Sequence, residues 1–188
     1  MGSSCLKLPP FGASREEFKR RLRSLKPARL RGRLFRLVPA FHADAISETG
    51  PSFTYGGRFN PREEFGALYL SETAEVSWKE TVKKYNNRPE DVPSQTAGIF
   101  EVDIHRSLDL TDEKVLEALG VALEDITQPA DHYLTQMIAA AAWSLGIEAI
   151  KFASSVDSQR FNVAIFMDHL TDTSSVRCLK VSGYRKPR

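Results

Sequence analysis

Tyr55-Gly56-Gly57-Arg58-Phe59-Asn60-Pro61 and, a little further on, Leu68-Tyr69-Leu70-Ser71 are the stretches on which the reading of this chain turns. Glycine lacks a Cβ, so a Gly-Gly pair lets the backbone turn sharply or approach a ligand closely. It also leaves room for Arg58 to project from a tight loop, where its planar, permanently charged fork suits a diphosphate. A structural turn carrying a surface arginine fits the same letters, and spacing alone does not separate the two readings.

Downstream, Ala67 to Leu70 reads as a short buried strand. Tyr69, flanked by leucines, suits either a core position with a satisfied hydroxyl or a ring beside a nucleotide. Glu72 to Tyr85 reads as a helix whose core face carries Ala74, Trp78, Thr81, Val82 and Tyr85. Glu80 falls on a second face with Thr73, Val76, Ser77, Lys83 and Lys84. It is a solvated glutamate unless that face lines a cleft.

Upstream, Ser14-Arg15-Glu16-Glu17 is a capping box that opens a helix to about Leu25, ended by Pro27. Residues Met1 to Ala13 read as a tail, Leu34 to Val38 as a strand, and Phe41 to Phe65 as a long loop broken at Gly50-Pro51 and Asn60-Pro61. Gly98 to Ile104 alternates as a strand, and Thr111 is expected to cap a short helix ending at Gly120. Pro129 opens the strongest helix, which runs to Leu145 with Gly146 as its stop. Glu148 to Phe152 and Val163 to Met167 are buried strands joined by the polar loop Ala153 to Asn162, and Val176 to Val181 is a last strand. Strands and helices alternate without the rhythm of a doubly wound sheet, so the expected class is α+β, with mixed sheets and flanking helices. No GxGxxG follows a strand and no P-loop occurs.

The 188 residues, 41% hydrophobic and 27% charged, suit one globular domain with an added terminus. We expect a tail and basic helix over 1–30 and the main domain over 31–188. The net charge of +2 does not point to nucleic acid, and the clustered Arg15 to Arg33 helix has no aromatic stacking pattern beside it. Direct nucleic-acid binding is therefore not expected. Cys5 and Cys178 lie near opposite ends, and His42, His105, His132 and His169 have no metal-type spacing, so no metal site is expected. A signal peptide and a run of roughly 18 apolar residues are both lacking, which predicts a cytoplasmic protein.

Together, Phe35-Arg36-Leu37, the Gly56 to Pro61 stretch, Leu68 to Ser71 and Glu80 resemble the RES domain, an ADP-ribosyltransferase-like family. Tyr133-Leu134-Thr135-Gln136, Ser154-Ser155 and Phe161-Asn162 extend the likeness from about Arg33 to about Asp168. The resemblance implies a single ADP-ribosyltransferase-like domain that consumes NAD as substrate, most often as a toxin. It implies that Arg36 and Arg58 hold the NAD phosphates and ribose, with Tyr69 and Asn162 also in the binding site. Glu80 is then the key acidic residue, and Ser154 or Ser155 completes the catalytic set with Arg36. The family often has Trp where Phe59 stands and Pro where Ala153 stands, so the choice between the two serines stays open. The implied partner is a helix-turn-helix antitoxin of the Xre type, and the implied acceptor of ADP-ribose is a protein side chain, phosphate or water. Two rival readings remain: a metal-free ribonuclease using His42 or His132 with Glu80, and a non-catalytic module binding through the Arg15 to Arg33 helix.

Overall fold

The structure, a computed structural model, describes residues 14–127 and 131–186. The expected tail, Cys5 and the Pro129 helix start lie outside the described residues. Ser14 caps helix α1 (Arg15–Arg23), its side chain accepting from the Glu17 N–H; the other half of the expected capping box does not form, because the Glu17 carboxylate pairs with Arg21. Phe18 and Leu22 of α1 are buried with Ile138 to Ala142 of a later helix, so the basic helix is built into the main core.

Six strands form one mixed sheet: β1 (Ala28–Pro39), β2 (Leu68–Ser71), β3 (Gln95–Asp109), β4 (Ala149–Ala153), β5 (Phe161–Ile165) and β6 (Ser175–Tyr184). Their order is β1-β2-β5-β4-β3-β6, and β1 also pairs with β3, so the first five close into a ring. Only β3 and β4 run parallel. The class is α+β, as expected. β1 begins at Ala28 rather than Leu34, because Arg29 and Arg31 pair with Asp103 of β3 and extend the ladder on its exposed side. Residues 28–30, assigned by sequence to the N-terminal unit, thus belong to the sheet.

The stretch 41–65 is not a plain loop. A 3-10 turn (Ala40–Ala45) and helix α2 (Gly50–Tyr55) occupy part of it, because a proline in the first turn of a helix is tolerated where its missing N–H has no partner to lose. Helix α3 (Ala74–Lys84) follows β2. Its buried residues are Val76, Ser77 and Trp78, while Ala74, Thr81, Val82 and Tyr85 are only half-buried, so the core face is turned toward the side on which Glu80 lies. Asp112, not Thr111, caps α4 (Glu113–Leu119), with its carboxylate accepting from the Lys114 N–H; left-handed Gly120 ends it. Helix α5 (Leu123–Thr127) was not foreseen, and α6 (Tyr133–Ser144) is the apolar helix expected there.

One core lies between the helices and the sheet around Phe18, Phe59, Phe65, Ile138, Phe152 and Phe166; a second fills the ring with Leu34, Leu68, Phe100, Val102, Ile104 and Val163. Along one edge of β3, β6 pairs as far as Asp103 and β4 takes over at Ser107. Glu148, fully buried, secures that changeover by accepting from Arg106 N (2.9 Å), Thr171 N (2.8 Å), Thr171 Oγ1 (2.7 Å) and Ser174 Oγ (2.8 Å). Among the described residues no helix is long and apolar enough to cross a membrane.

Candidate active site

The site is assembled from three places in the chain. Asn162 on β5 pairs with Ser71 of β2 on one side and Phe152 of β4 on the other, so its side chain position is fixed by the middle of the wall. Ser154 and Ser155 follow directly on β4, and the Ser154 N–H donates to Arg160 O (2.9 Å), which closes the polar loop upon itself. Helix α3 brings in Glu80. The Thr73 side chain caps α3 by accepting from Val76 N (3.1 Å), and Ser77 Oγ accepts from Leu37 N of β1 (3.1 Å).

These supports converge on one carboxylate. Glu80 Oε1 accepts from Ser154 Oγ (2.8 Å), Asn162 Nδ2 (2.8 Å) and Ser155 N (3.3 Å). Oε2 receives only a long bond from Ser155 Oγ (3.3 Å). A carboxylate with one oxygen saturated and the other largely open is held in a fixed orientation, which suits holding a ribose hydroxyl or facing developing positive charge. Both serines touch Glu80. Ser154 is the buried one, with its Oγ also accepting from Val156 N (3.2 Å), while Ser155 accepts from Lys83 Nζ (3.0 Å).

The glycine loop forms a second wall. Gly57 and Asn60 bridge each other, with Gly57 N donating to Asn60 O (2.9 Å). Asn60 is fully buried and donates from Nδ2 to Ser52 O (2.7 Å) and Phe65 O (3.1 Å). Tyr69 OH donates to Asn60 Oδ1 (2.8 Å) and accepts from Phe59 N (2.9 Å), so its hydroxyl braces the loop; burial pushes that hydroxyl's pKa well up. Gly57 has no alternative here, since a Cβ would sit 2.6 Å from the Tyr69 hydroxyl oxygen. Gln136 of α6 clamps the loop from outside by donating to Gly57 O (2.9 Å).

Arg58 projects from this braced loop with its guanidinium 5.6 Å from the Phe152 ring centroid. Its Nη1 is buried and has no protein partner, and neither has the buried Oδ1 of Asn162. Unpaired buried polar atoms at one place are the mark of a site that a polar ligand completes. Arg36 donates from Nη1 to Ile46 O (3.1 Å) and Glu48 O (3.0 Å), and burial draws its pKa down against the pull of Glu48.

Lys84, which sequence reasoning left among solvated charges, lies near the candidate site. It lies one turn beyond Glu80, and its pKa is lowered first by desolvation and then by Arg36 and Arg58, with Glu80 opposing. Lys84 keeps solvent exposure, so its neighbours crowd the ammonium without hiding it. The four-residue spacing from Glu80 was the available signal. Arg36, Arg58 and Glu80 all lie near enough to Lys84 for their charges to act on it, a local excess of positive charge that fits a diphosphate-bearing ligand.

The two histidines of the ribonuclease reading do not reach Glu80. His132 lies toward Arg58, with its pKa lowered by desolvation and by that arginine against Asp131, and His42 packs on Phe41 at 4.6 Å. Neither hydrogen-bonds Glu80 among the described residues. There is also no group of three or more His, Cys, Asp or Glu among them that can hold a metal ion.

No curated protein matches the chain. Its fold is similar to that in the crystal structure of the M.tuberculosis MbcT-MbcA toxin-antitoxin complex, with a TM-score of 0.75 at 19% identity, covering 89% of this chain and 91% of that one. The RES domain matches residues 33–182, which take in the glycine loop, Glu80, both serines and Asn162. On that match over most of its length, the chain belongs to the RES domain family.

Proposed function

We propose that this protein is the toxin of a toxin–antitoxin pair, acting in the cytoplasm by cleaving NAD at the nicotinamide–ribose bond. The observation that carries the reading is the Glu80 carboxylate, fixed by Ser154, Ser155 and Asn162. Arg58, Arg36 and Lys84 grip the diphosphate, and Glu80 Oε2 with Asn162 Oδ1 receives the ribose hydroxyls. As the bond to nicotinamide lengthens, positive charge grows on the ribose, and the oriented carboxylate stabilises it. Ser154 and Ser155 act by holding Glu80 in place, and Tyr69 acts through the loop that aims Arg58. The ADP-ribosyl group then passes to a protein side chain, phosphate or water.

Family membership and the likeness of fold to a toxin–antitoxin complex support the toxin reading. The partner is an antitoxin, of the Xre helix-turn-helix type that the family resemblance implies. Exposed Tyr55 and Tyr133, beside the glycine loop, supply an aromatic rim of the kind that protein partners cover. The binding-module reading is weakened because Arg21 of α1 is spent on Glu17 and the Leu119 carbonyl.

The test is NAD concentration after mixing purified protein with NAD, alone, with phosphate and with cell extract. Loss with phosphate or water alone identifies a phosphorylase or hydrolase, and loss that needs extract identifies a protein acceptor. Unchanged NAD in all three, with RNA degraded instead, overturns the reading in favour of a ribonuclease.

A further inference from the structure

Ser154 and Ser155 both touch Glu80, but their hydroxyls are aimed by different means. A serine hydroxyl has one proton to give and two lone pairs to fill, so a donor seated on a lone pair decides where the proton points. Ser154 Oγ accepts from Val156 N (3.2 Å) and gives its proton to Glu80 Oε1 (2.8 Å). Buried and served by backbone two residues away, it is aimed by its own loop. Among the described residues no backbone group does this for Ser155. Its Oγ accepts from Lys83 Nζ (3.0 Å) and gives its proton to Glu80 Oε2 (3.3 Å).

Helix α3 sets up this arrangement. Glu80 and Lys83 are three residues apart, neighbours on a helix surface that ordinarily close into an ion pair. Here the Ser155 hydroxyl stands between carboxylate and ammonium and bonds to both. The loop that carries it is fastened in that place. Lys79, one turn before Lys83, reaches Asp157 (3.4 Å), while Glu72 accepts from Arg160 Nη1 (3.3 Å) and Phe161 N (3.4 Å). An ammonium has only protons to offer, so the Ser155 proton cannot turn toward it and Glu80 Oε2 is left as its target.

Resting on the reading of this cleft as a NAD-cleaving site, we propose that Lys83 is a positioning residue for Glu80, acting through Ser155 on the carboxylate oxygen that the rest of the site leaves open. Ser154 and Asn162 fix Oε1. Lys83 and Ser155 decide which lone pair of Oε2 is taken, and so which one meets the ribose. The hydroxyl also keeps the ammonium at one remove. A direct Lys83–Glu80 pair offsets the negative charge that faces the developing cation. The two serines thus have separate tasks: Ser154 anchors the carboxylate, and Ser155 spaces it from Lys83 while passing on the lysine's direction.

The test is a double-mutant cycle on the full chain, read as kcat and KM for NAD. Lys83→Met is expected to lower kcat about fivefold, the worth of one modest hydrogen bond, with KM unaltered because Lys83 acts on Glu80 and not on NAD. Ser155→Ala is expected to lower kcat by about tenfold, since the hydroxyl is lost and the ammonium closes on the carboxylate. Adding Lys83→Met to Ser155→Ala is expected to cause no further loss, because the lysine has nothing left to act through. Circular dichroism and a thermal melt check that each variant is folded. A rise in KM with kcat kept, an unaltered kcat in Lys83→Met, or a double variant slower than Ser155→Ala by the full Lys83→Met factor each overturns the relay while leaving NAD cleavage standing. Wild-type protein that consumes no NAD overturns the cleavage reading itself, and the relay with it.

Discussion

Tyr69 and Asn60 meet hydroxyl to amide oxygen at 2.8 Å, and that contact ties the strand β2 to the loop that carries Arg58. Removing the hydroxyl leaves Asn60 Oδ1 and Phe59 N–H unpaired in a buried place. Tyr69→Phe is expected to cost about 2 kcal/mol, lowering Tm by roughly 4–8 °C, and to raise KM for NAD as Arg58 loses its aim. A thermal melt beside NAD kinetics checks it; an unchanged Tm removes the bracing role.

Gly57→Ala presses on the same junction from the other side. The added methyl meets the Tyr69 hydroxyl and, at 2.7 Å, Asn60 Oδ1. We expect about 2 kcal/mol of destabilisation in chemical denaturation, together with lost activity.

Glu80→Gln tests the chemistry with little change of shape. The side chain keeps its size and an acceptor oxygen for Ser154 and Asn162, so the fold is expected to survive with an unaltered circular dichroism spectrum. The NAD-cleavage rate is expected to fall by about 10² or more, because the lost charge acts on the transition state. Retained activity removes Glu80 from its role.

Arg58→Ala separates binding from folding. The buried Nη1 contributes no protein hydrogen bond, so stability is expected to change little, while KM for NAD rises by about tenfold or more. Arg36→Ala, by contrast, is expected to lower both affinity and Tm, since Arg36 also holds the Ile46 and Glu48 carbonyls.

Glu148 sets an acid limit on the fold. Burial alone raises its pKa, but the hydrogen bonds from Thr171, Ser174 and Arg106 outweigh burial and hold it below the usual carboxylate value. Its stabilisation is therefore complete above the unfolded-state pKa of roughly 4.3 and is lost as pH falls through the lower folded value. Glu148→Gln is expected to cost about 3 kcal/mol at neutral pH and to flatten the acid limb of a Tm-against-pH curve. An equally steep limb in the variant assigns acid unfolding to other groups.

How much of this was legible in the letters depends on the range of the interaction. The glycine loop, the N-cap at Ser14 and the strand Leu68–Ser71 are local patterns, and the structure forms all three, although Glu17 turns to Arg21 instead of closing the capping box. The convergence of Glu80, Ser154 and Asn162 came from family likeness, since helical periodicity alone leaves Glu80 solvated. The closed ring was not legible, because it depends on β1 pairing with β3 at positions such as Arg33 and Glu101, which no local pattern joins. Lys84 was missed for a related reason: a lysine near the end of a charged helix resembles a solvated one until Arg36 and Arg58 are placed beside it. Buried Glu148 carried no signal either, as its partners Thr171 and Ser174 lie in a polar turn.

The spread of the site along the sequence has a consequence for biosynthesis. Arg36, Arg58 and Glu80 leave the ribosome early, but Ser154, Ser155 and Asn162 belong to β4, β5 and the loop between them. A nascent chain that has not yet delivered β5 lacks the Asn162 amide that holds the Glu80 carboxylate, so that side chain has no fixed orientation until then. Timing is thus written into the topology: the carboxylate gains its fixed orientation only after β5 has been made, long after Arg36, Arg58 and Glu80 have left the ribosome.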